Sequence, residues 1–525
     1  MVEQYQEQYV LDLLQDLRTS KLYTDLHNAA QTEAAKASLR ISDLKKGVQA
    51  GLVQSGWDRR LRNAVCKYMQ THPKTSQPHA PPEQNKEPLA HLRKAQQAWE
   101  KKILKSLNSM CTELNIPLAR RRPEREQREM SSRWTELGTD GPGNYYLSQI
   151  RPVYAPKDFL EVVIGLQNTN YQTTPAPSFY NFWGIIQIPL KVKEINELRL
   201  QYSDMSINQC QTGVDDYTDI PAELFELDRV KLGKNVIKAN HGPLAQEYAK
   251  KGCPVSLRGD LWCQMLVVEV DDVDVLYYDQ LKANVLQHDL LVDNLLYKDV
   301  KLTATNDDQY FVFEDFLYQV LLPFSRDTHI LKHFQQSSAT PPKSYIRGKL
   351  GIEEFAVFYP PNGVIPFHGF AMYVSPLCFL YKEPVKLYYV YRELYMQYFF
   401  RLHSVSSHPE GIVGLSQLFE KLLQEQEPQL FYHLKSVGCQ PLKISFKWMM
   451  RAFSGFLASE QVLLLWDRIL AYRSLEILPV LSVAIFSFRK TNLMKVQTFN
   501  AAEAVLADLT TLQAVPLIQL SLFSQ

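Results

Sequence analysis

The stretch QEQEPQLFYHLKSVGCQPLKISFKWMMRAFSGFLASEQVLLLWDRIL, residues 424–470, decides the fold of this chain. It contains three short helical patterns separated by clear stops. Pro428 can occupy a first helical turn, whereas Gly438 and Pro441 mark the place where that helix must end. Ser459 can cap the third helix. The stretch therefore predicts a set of short, packed helices.

Apolar side chains in the second and third patterns recur at intervals of three and four residues. This spacing is typical of a buried helix face. The positions are Phe446, Met449, Met450, Phe453, Phe456 and Leu457, followed by Val462, Leu465, Trp466 and Ile469. These residues predict a helical core and carry no chemistry themselves.

Particular residues of this stretch resemble the Rab GTPase-activating TBC domain. That family carries a proline, a leucine, a His-Leu pair, a helix with tryptophan and phenylalanine, and then a Trp-Asp pair. The matching residues are Pro428, Leu430, His433, Leu434, Trp448, Phe453, Trp466 and Asp467. The resemblance implies a mainly α fold: a two-lobed, all-helical TBC domain preceded by a helical N-terminal region.

Composition and charge describe a globular chain of more than one domain. Its 525 residues suggest two or three domains, and 46% of them are hydrophobic while 22% are charged. Lysine plus arginine (57) nearly equals aspartate plus glutamate (56), so the net charge indicates neither nucleic acid nor a membrane surface as partner.

Cysteine spacing and hydropathy exclude several further classes. The seven cysteines are scattered without a two-residue pair, so neither a metal site nor a redox motif is expected. The N-terminus is polar, and the longest nearly apolar stretch, residues 477–488, has the length of a core helix. Phosphate-loop, nucleophile-elbow and HExxH motifs are missing. The sequence therefore predicts a cytoplasmic protein without a transmembrane segment.

Changes in pattern divide the chain into five regions. They are an N-terminal helical region (1–70), a proline-rich linker (71–88), a helical segment with a charged run (89–135), a mixed and poorly defined region (136–240), and the TBC domain (244–525) with its motif-bearing core at 252–473. In the mixed region, FLEVVIGL and FWGIIQIPLKV fit either short strands or buried helix segments.

The charged run ARRRPEREQREMSSRW (119–134) allows two readings. Alternating signs are typical of a solvated helix face. The alternative is a patch for acidic lipid head groups or an acidic partner. No aromatic residue interleaves with the arginines, which argues against nucleic acid.

Arg258 and Trp262 match the opening of a TBC domain, in which an arginine is followed by a tryptophan four residues on. Residues four apart share a helix face, so the indole could stack on the guanidinium and hold it. The resemblance implies a structural role for this arginine, as it does for Trp448, Trp466 and Asp467.

A GTPase-activating protein completes the active site of its partner. An arginine supplied in trans meets the charge on the transferring phosphoryl group, and an amide side chain orients the attacking water. The resemblance implies a Rab-family small GTPase as the partner. GTP and Mg belong to that GTPase, so no cofactor is expected for this chain, and membrane contact would be peripheral, on endomembranes, through the Rab.

The arginine motif of the family is altered here. It consists of an apolar residue, two residues, an aspartate, two residues and the arginine. In LLVDNLL (290–296), Asp293 fits and Leu296 occupies the arginine position. In the alternative frame LQHDLLV (286–292), that position holds Val292. Neither side chain can stabilise phosphoryl charge.

The glutamine motif, Tyr-any-Gln-Gly in the family, is altered as well. Pro366, His368 and Gly369 stand where tyrosine, glutamine and glycine are expected. Gly369 fits a tight turn. His368 can orient a water through one ring nitrogen, but it lacks the paired donor and acceptor of an amide, and an ordinary loop histidine is the alternative.

Two further arginines could substitute for the missing one. Arg326 and Arg347 lie in polar stretches between the two motifs, from which a loop could approach the nucleotide. An arginine finger is worth roughly 10³ to 10⁵ in rate, more than a histidine at the glutamine position could recover. The sequence therefore indicates a TBC-domain regulator, a GTPase-activating protein for Rab proteins with weak or absent dual-finger catalysis.

Two other functions remain open. One is a non-catalytic module that binds a Rab or a trafficking partner. The other is a scaffold or adaptor that acts through residues 1–240, with the TBC portion as a spacer.

Overall fold

The computed structural model describes most of the chain. The described residues are 11, 13–36, 41–71, 87–138, 149–166, 184–186, 188, 190–214, 221–306, 308–335, 344–350 and 353–524. Most of the proline-rich linker (71–88) lies outside them, as do large parts of the mixed region (136–240).

Helices make up most of the described structure. In chain order they are α1 Lys21–Lys36, α2 Ile41–Gln54, α3 Trp57–Thr71, α4 Glu87–Leu114, α5 Glu124–Ser132, α6 Pro156–Ile164, α7 Ile195–Gln201, α8 Ala222–Ala239, α9 Gly242–Ala249, α10 Arg258–Leu266, α11 Asp272–Gln287, α12 Leu291–Asn306, α13 Glu314–Arg326, α14 Thr328–Gln335, α15 Pro384–Gln397, α16 Ile412–Gln426, α17 Pro428–Ser436, α18 Pro441–Met450, α19 Ser459–Tyr472, α20 Ile477–Phe488, α21 Lys490–Leu493, α22 Phe499–Val505 and α23 Ala514–Phe523.

The helices from α9 onward pack as two groups. In the first, α13 lies against α11, α12 and α15. In the second, α16 lies against α18 and α20, and α20 against α23. Helix α19 connects the groups, because it packs on α23 of the second group and on α10, which contacts α15 of the first. It also packs on α9. The expected mainly α fold, with a helical N-terminal region, is confirmed.

The helical framework also carries two small antiparallel ribbons, which the sequence did not indicate. Strand β1 (Ala119–Arg121) pairs with β2 (His288–Leu290), and β3 (Ser344–Leu350) pairs with β4 (Glu353–Tyr359). The first ribbon joins the charged run to the residues directly before α12. It therefore connects segments that are far apart in the sequence.

The core of residues 424–470 follows the predicted pattern up to Met450. Helix α17 begins at Pro428, Gly438 has the left-handed φ of +73° that its stop requires, and α18 begins at Pro441. The apolar spacing in the sequence continues to Leu457. Helix α18 nevertheless ends at Met450, because Ala452 and Phe453 both adopt positive φ. The Ala452 carbonyl accepts a hydrogen bond from the Trp466 indole at 3.0 Å, which holds this turn.

The N-terminal region contributes to the same core. Trp99 of α4 contacts Tyr154 and Phe159, with ring centroids 5.2 and 5.7 Å apart, and Phe159 contacts Phe446 of α18 at 6.1 Å. FLEVVIGL (159–166) is helical up to Ile164, where α6 ends, and Gly165 and Leu166 follow the helix. The described residues of FWGIIQIPLKV form neither helix nor strand.

The described residues include neither a membrane-spanning helix nor a cluster of metal-binding side chains. No helix among them has the length and apolar character needed to cross a bilayer. No cluster of three or more histidine, cysteine, aspartate or glutamate side chains that could hold a metal ion occurs in the described part of the chain.

Candidate functional site

The His368 loop lies against helix α12. The backbone N–H groups of Gly369 and Ala371 donate to the two carboxylate oxygens of Asp299, at 2.6 and 2.8 Å. Gly369 has a φ of +97°, and a Cβ at this position would collide with the guanidinium of Arg451. The loop therefore turns tightly here, with its amides anchored on α12.

His368 lies next to the same carboxylate. Its Nδ1 is 3.8 Å from Asp299 Oδ1, and the imidazole is 40% exposed. Partial burial lowers the pKa of His368, an effect that Arg451 and Lys298 reinforce and that Asp299 opposes. The imidazole is therefore neutral near pH 7, and it can offer solvent one donor or one acceptor.

Asp299 is buried behind this histidine. Burial raises the pKa of the Asp299 carboxyl, while the two amide hydrogen bonds and the neighbouring cations oppose that rise. Asp299 holds the loop through its two hydrogen bonds to the Gly369 and Ala371 amides.

A guanidinium supports the loop from the other side. Arg451, directly after α18, donates from Nη2 to the His368 carbonyl oxygen at 2.9 Å and lies 5.6 Å from the Phe456 ring centroid. Burial lowers the pKa of Arg451. The arginine thus fixes the backbone of His368.

Residues of the N-terminal region complete this surface. The His368 N–H donates to the Tyr154 carbonyl at 2.9 Å, and Lys298 Nζ donates to the Ile150 carbonyl. A small cavity beside His368 is lined by Ile150, Pro152, Leu295, Leu302 and Phe367 together with Lys298 and Asp299. The segment before α6 is therefore part of the candidate site.

Both residues at the arginine position of the motif face the interior. Leu296 is 2% exposed and Val292 is 1% exposed, and both belong to the apolar core around α12. Neither position projects a side chain toward a partner. Whichever frame applies, the motif supplies no cation at this surface.

Arg326 lies at the end of helix α13 and not in a loop. Its guanidinium binds the buried carboxylate of Asp293, with Nη2 at 2.7 Å from Oδ2, and Nη2 also donates to the His288 carbonyl at 2.8 Å. Arg122 lies 3.6 Å from the same carboxylate. Only 5% of Arg326 is exposed, so its charge is held against α12. Arg347 lies in strand β3, and its side chain is outside the described residues.

Arg258 and Trp262 meet at a shared carboxylate. Arg258 Nε lies 3.1 Å from Asp467 Oδ1, and the Trp262 indole donates to the same oxygen at 2.7 Å. The Cys253 N–H donates to the other oxygen at 3.1 Å. All these groups are buried, so Asp467 joins α10 to α19 at the interface of the two helix groups.

The two other tryptophans of the motif are core residues. Trp448 and Trp466 are each 1% exposed, and Trp466 lies 6.4 Å from Trp262 between ring centroids. Both therefore stabilise the scaffold that carries the His368 loop.

Sequence reasoning missed Asp299, Arg451 and Tyr154. Each contacts the His368 loop from a distant part of the chain, so no local spacing could have identified it. The one available signal was Gly369, since a tight turn leaves backbone amides that need an acceptor.

The chain matches a known protein family at this loop. The Rab-GTPase-TBC domain family model matches residues 367–494, which begin at the His368 loop. TBC1 domain family member 19 from Homo sapiens is 58% identical over 515 residues, covering 98% of this chain and 97% of that protein.

Two solved structures are also similar to this chain. The Chlamydomonas flagellar RabGAP TBC domain has a TM-score of 0.41 and 13% identity, and the match covers 64% of this chain and 98% of that one. The Ypt/Rab-GAP domain of Gyp1p has a TM-score of 0.39 and 13% identity, and covers 57% and 96% respectively. The identity to the human relative, sustained over nearly the whole length, shows that this chain belongs to the Rab-GTPase-TBC domain family.

Proposed function

We propose that this chain regulates Rab-type small GTPases by binding their GTP-loaded form, with weak or absent dual-finger stimulation of hydrolysis. Its membership of the family supports a Rab as the partner. In this proposal GTP and Mg are held by the Rab, and the chain works in the cytoplasm, reaching endomembranes through the Rab.

The observation that carries this proposal is the burial of the arginine position. Leu296 and Val292 are apolar and face the core, so neither can meet charge on a phosphoryl group. Arg326, the described alternative, is paired with Asp293. Without an arginine finger, the rate of GTP hydrolysis is lower by a factor of roughly 10³ to 10⁵.

His368 supports only a modest contribution to hydrolysis. Its imidazole is neutral and partly exposed, and Arg451 and Asp299 fix the loop that carries it. It can orient a water molecule through one hydrogen bond, which is less than an amide offers. This geometry favours a binding role over dual-finger catalysis.

The fold itself bears on the adaptor hypothesis. Tyr154 and Ile150 bind the His368 loop and α12 directly. The N-terminal region therefore supports the TBC surface, which favours one integrated Rab-binding unit over an adaptor joined to a passive spacer.

The test is a binding panel. Purified Rab GTPases, each loaded with GDP or with a non-hydrolysable GTP analogue, are titrated against the full chain by interferometry. We expect at least one Rab to bind tighter in the GTP-analogue form. Binding to no Rab, or equal binding in both nucleotide states for every Rab, would reject Rab regulation.

A further inference from the structure

The ribbon of β1 and β2 brings three consecutive arginines to the residues that precede α12. Arg121 is paired with His288 in the strand register, and Arg120 with Asp289. The Leu291 N–H donates to the Leu118 carbonyl at 2.9 Å, which extends the contact to the first residue of α12. The charged run is thus fixed beside the altered arginine motif.

Two of the three arginines are neutralised by carboxylates. Arg120 lies 2.8 Å from Asp289 and 2.9 Å from Glu126. Arg122 lies 3.1 Å from Asp289 and 3.6 Å from Asp293. These pairs attach β1 to the start of α12.

Arg121 differs from its neighbours. Its side chain is exposed, and no carboxylate lies within 4 Å of it among the described residues. The other arginines of residues 119–132, Arg125 and Arg128, pair with Glu129 and Glu124 along α5. Within this segment, Arg121 is therefore the uncompensated positive charge.

Arg121 is close enough to the His368 loop to share one partner with it. The path from Arg121 across the ribbon to His288, on to Leu291 and along α12 to Asp299 is at most about 27 Å long. A standard interface buries about 800 Å² per partner, a patch roughly 30 Å across. A GTPase whose contact patch spans α12, with the ribbon at one edge and the His368 loop at the other, would cover both.

We infer that Arg121 is a contact residue for the GTP-loaded Rab, through which the N-terminal region takes part directly in recognition. This inference rests on the proposed Rab binding. The phosphates give the nucleotide-bearing face of a GTPase a negative field, which a cation at the rim of the interface meets without touching the transferring phosphoryl group. An exposed guanidinium on a backbone fixed by the ribbon suits that field, because arginine offers several donors in one plane.

The test compares Arg121→Glu and Arg121→Ala with the matched control Arg125→Glu in the full chain. Arg125 belongs to the same basic run, and its side chain is 90% exposed. The probe is the GTP-analogue-loaded Rab that binds the unchanged chain most tightly, titrated at low and high salt. Thermal unfolding checks that the variants fold alike.

We expect Arg121→Glu to weaken binding by about tenfold or more and to flatten its salt dependence, while Arg125→Glu stays within about twofold. If both Arg121 variants bind the Rab with an affinity within twofold of the unchanged chain, the inference is overturned. Rab binding itself would then still be supported. Equal losses for Arg121→Glu and Arg125→Glu would also overturn it, since general charge would then be the cause.

Two further results would identify other outcomes: one a membrane contact of the ribbon, the other a failure of Rab binding itself. Loss of sedimentation with phosphatidylserine vesicles on Arg121→Glu, with Rab affinity unchanged, would assign the ribbon to membranes and overturn the inference. If the unchanged chain binds no Rab of the panel, the proposed function fails, and the role of Arg121 fails with it.

Discussion

Single buried carboxylates organise this molecule. The Asp467 carboxylate binds Arg258, the Trp262 indole and the Cys253 amide. The Asp293 carboxylate pairs with Arg326 and Arg122. A buried charge is tolerated when it is paired and its remaining hydrogen bonds are made. These pairs connect segments that are distant in sequence, so each matters more for the scaffold than for chemistry.

Arg326→Ala should lower the free energy of unfolding by about 3 kcal/mol or more, because the buried Asp293 carboxylate keeps only the Leu290 N–H and the more distant Arg122 as partners. Denaturant unfolding followed by circular dichroism measures this change. Arg125→Ala, at an exposed position, should shift it by less than about 0.5 kcal/mol.

The opposite pattern would contradict this assignment. If Arg326→Ala unfolds like the unchanged chain and yet reduces the chain's stimulation of GTP hydrolysis by the Rab, its guanidinium acts on the nucleotide and the buried ion pair is not its role.

At this scale the sequence was informative about residue types and uninformative about partners. The Trp-Asp pair and Arg258 could be assigned a structural role from the family motif, and all three residues are buried. The role itself stays a prediction. Arg326 was expected to be available from a loop. Its partner Asp293 lies 33 residues away, and no periodicity encodes a contact of that kind.

At the scale of elements, strong helical periodicity predicted the helices well, and their ends less well. The stops at Gly438 and Pro441 are correct, whereas the pattern through Leu457 outlasts helix α18. The ribbons could not be foreseen, because β1 and β2 are three residues each and pair across 169 positions. Only tertiary packing stabilises such short strands.

Helix α16 anchors a segment of the mixed region through one carboxylate. Glu420 accepts hydrogen bonds from the Ile185 and Ile186 amides at 2.8 and 3.0 Å. Burial raises the pKa of Glu420 to about 7, although both amides oppose the rise. A raised folded-state pKa means that the stabilising contribution is complete below the unfolded value of 4.5 and is lost as the pH rises toward 7.

Glu420→Gln should therefore change the pH dependence of stability. The unchanged chain should lose unfolding free energy relative to the variant between about pH 4.5 and pH 7. The variant should also be less stable by about 1–3 kcal/mol at low pH, because an amide nitrogen cannot accept from a backbone N–H. Denaturant unfolding at several pH values measures both effects, and parallel curves would show that Glu420 does not titrate in this window.

At the scale of the whole molecule, the chain is more integrated than its sequence regions indicated. Trp99, Tyr154 and Phe159 lie in the same buried cluster as Phe367 and Phe446. The sequence predicted the start of the TBC domain near residue 240, where its pattern changes. That change does not mark where the hydrophobic core begins.

A fragment of residues 244–525 should fail to fold stably, because it loses these aromatic contacts and the Tyr154 carbonyl bonded to His368. A fragment of residues 87–525 keeps them and should remain folded. Near-ultraviolet circular dichroism and thermal unfolding compare the two. A cooperative transition of the shorter fragment at the temperature of the longer one would show that the N-terminal region is dispensable.

The most direct measurement of the whole account is single-turnover GTP hydrolysis by the Rab that the chain binds most tightly, with the chain in saturating excess. Because the motif positions Leu296 and Val292 are buried and Arg326 is paired, we expect acceleration below about tenfold, against the roughly 10³ to 10⁵ that an arginine finger supplies. Acceleration of about 10³ or more would contradict the account. It would require a cation at the phosphates, and these positions provide none.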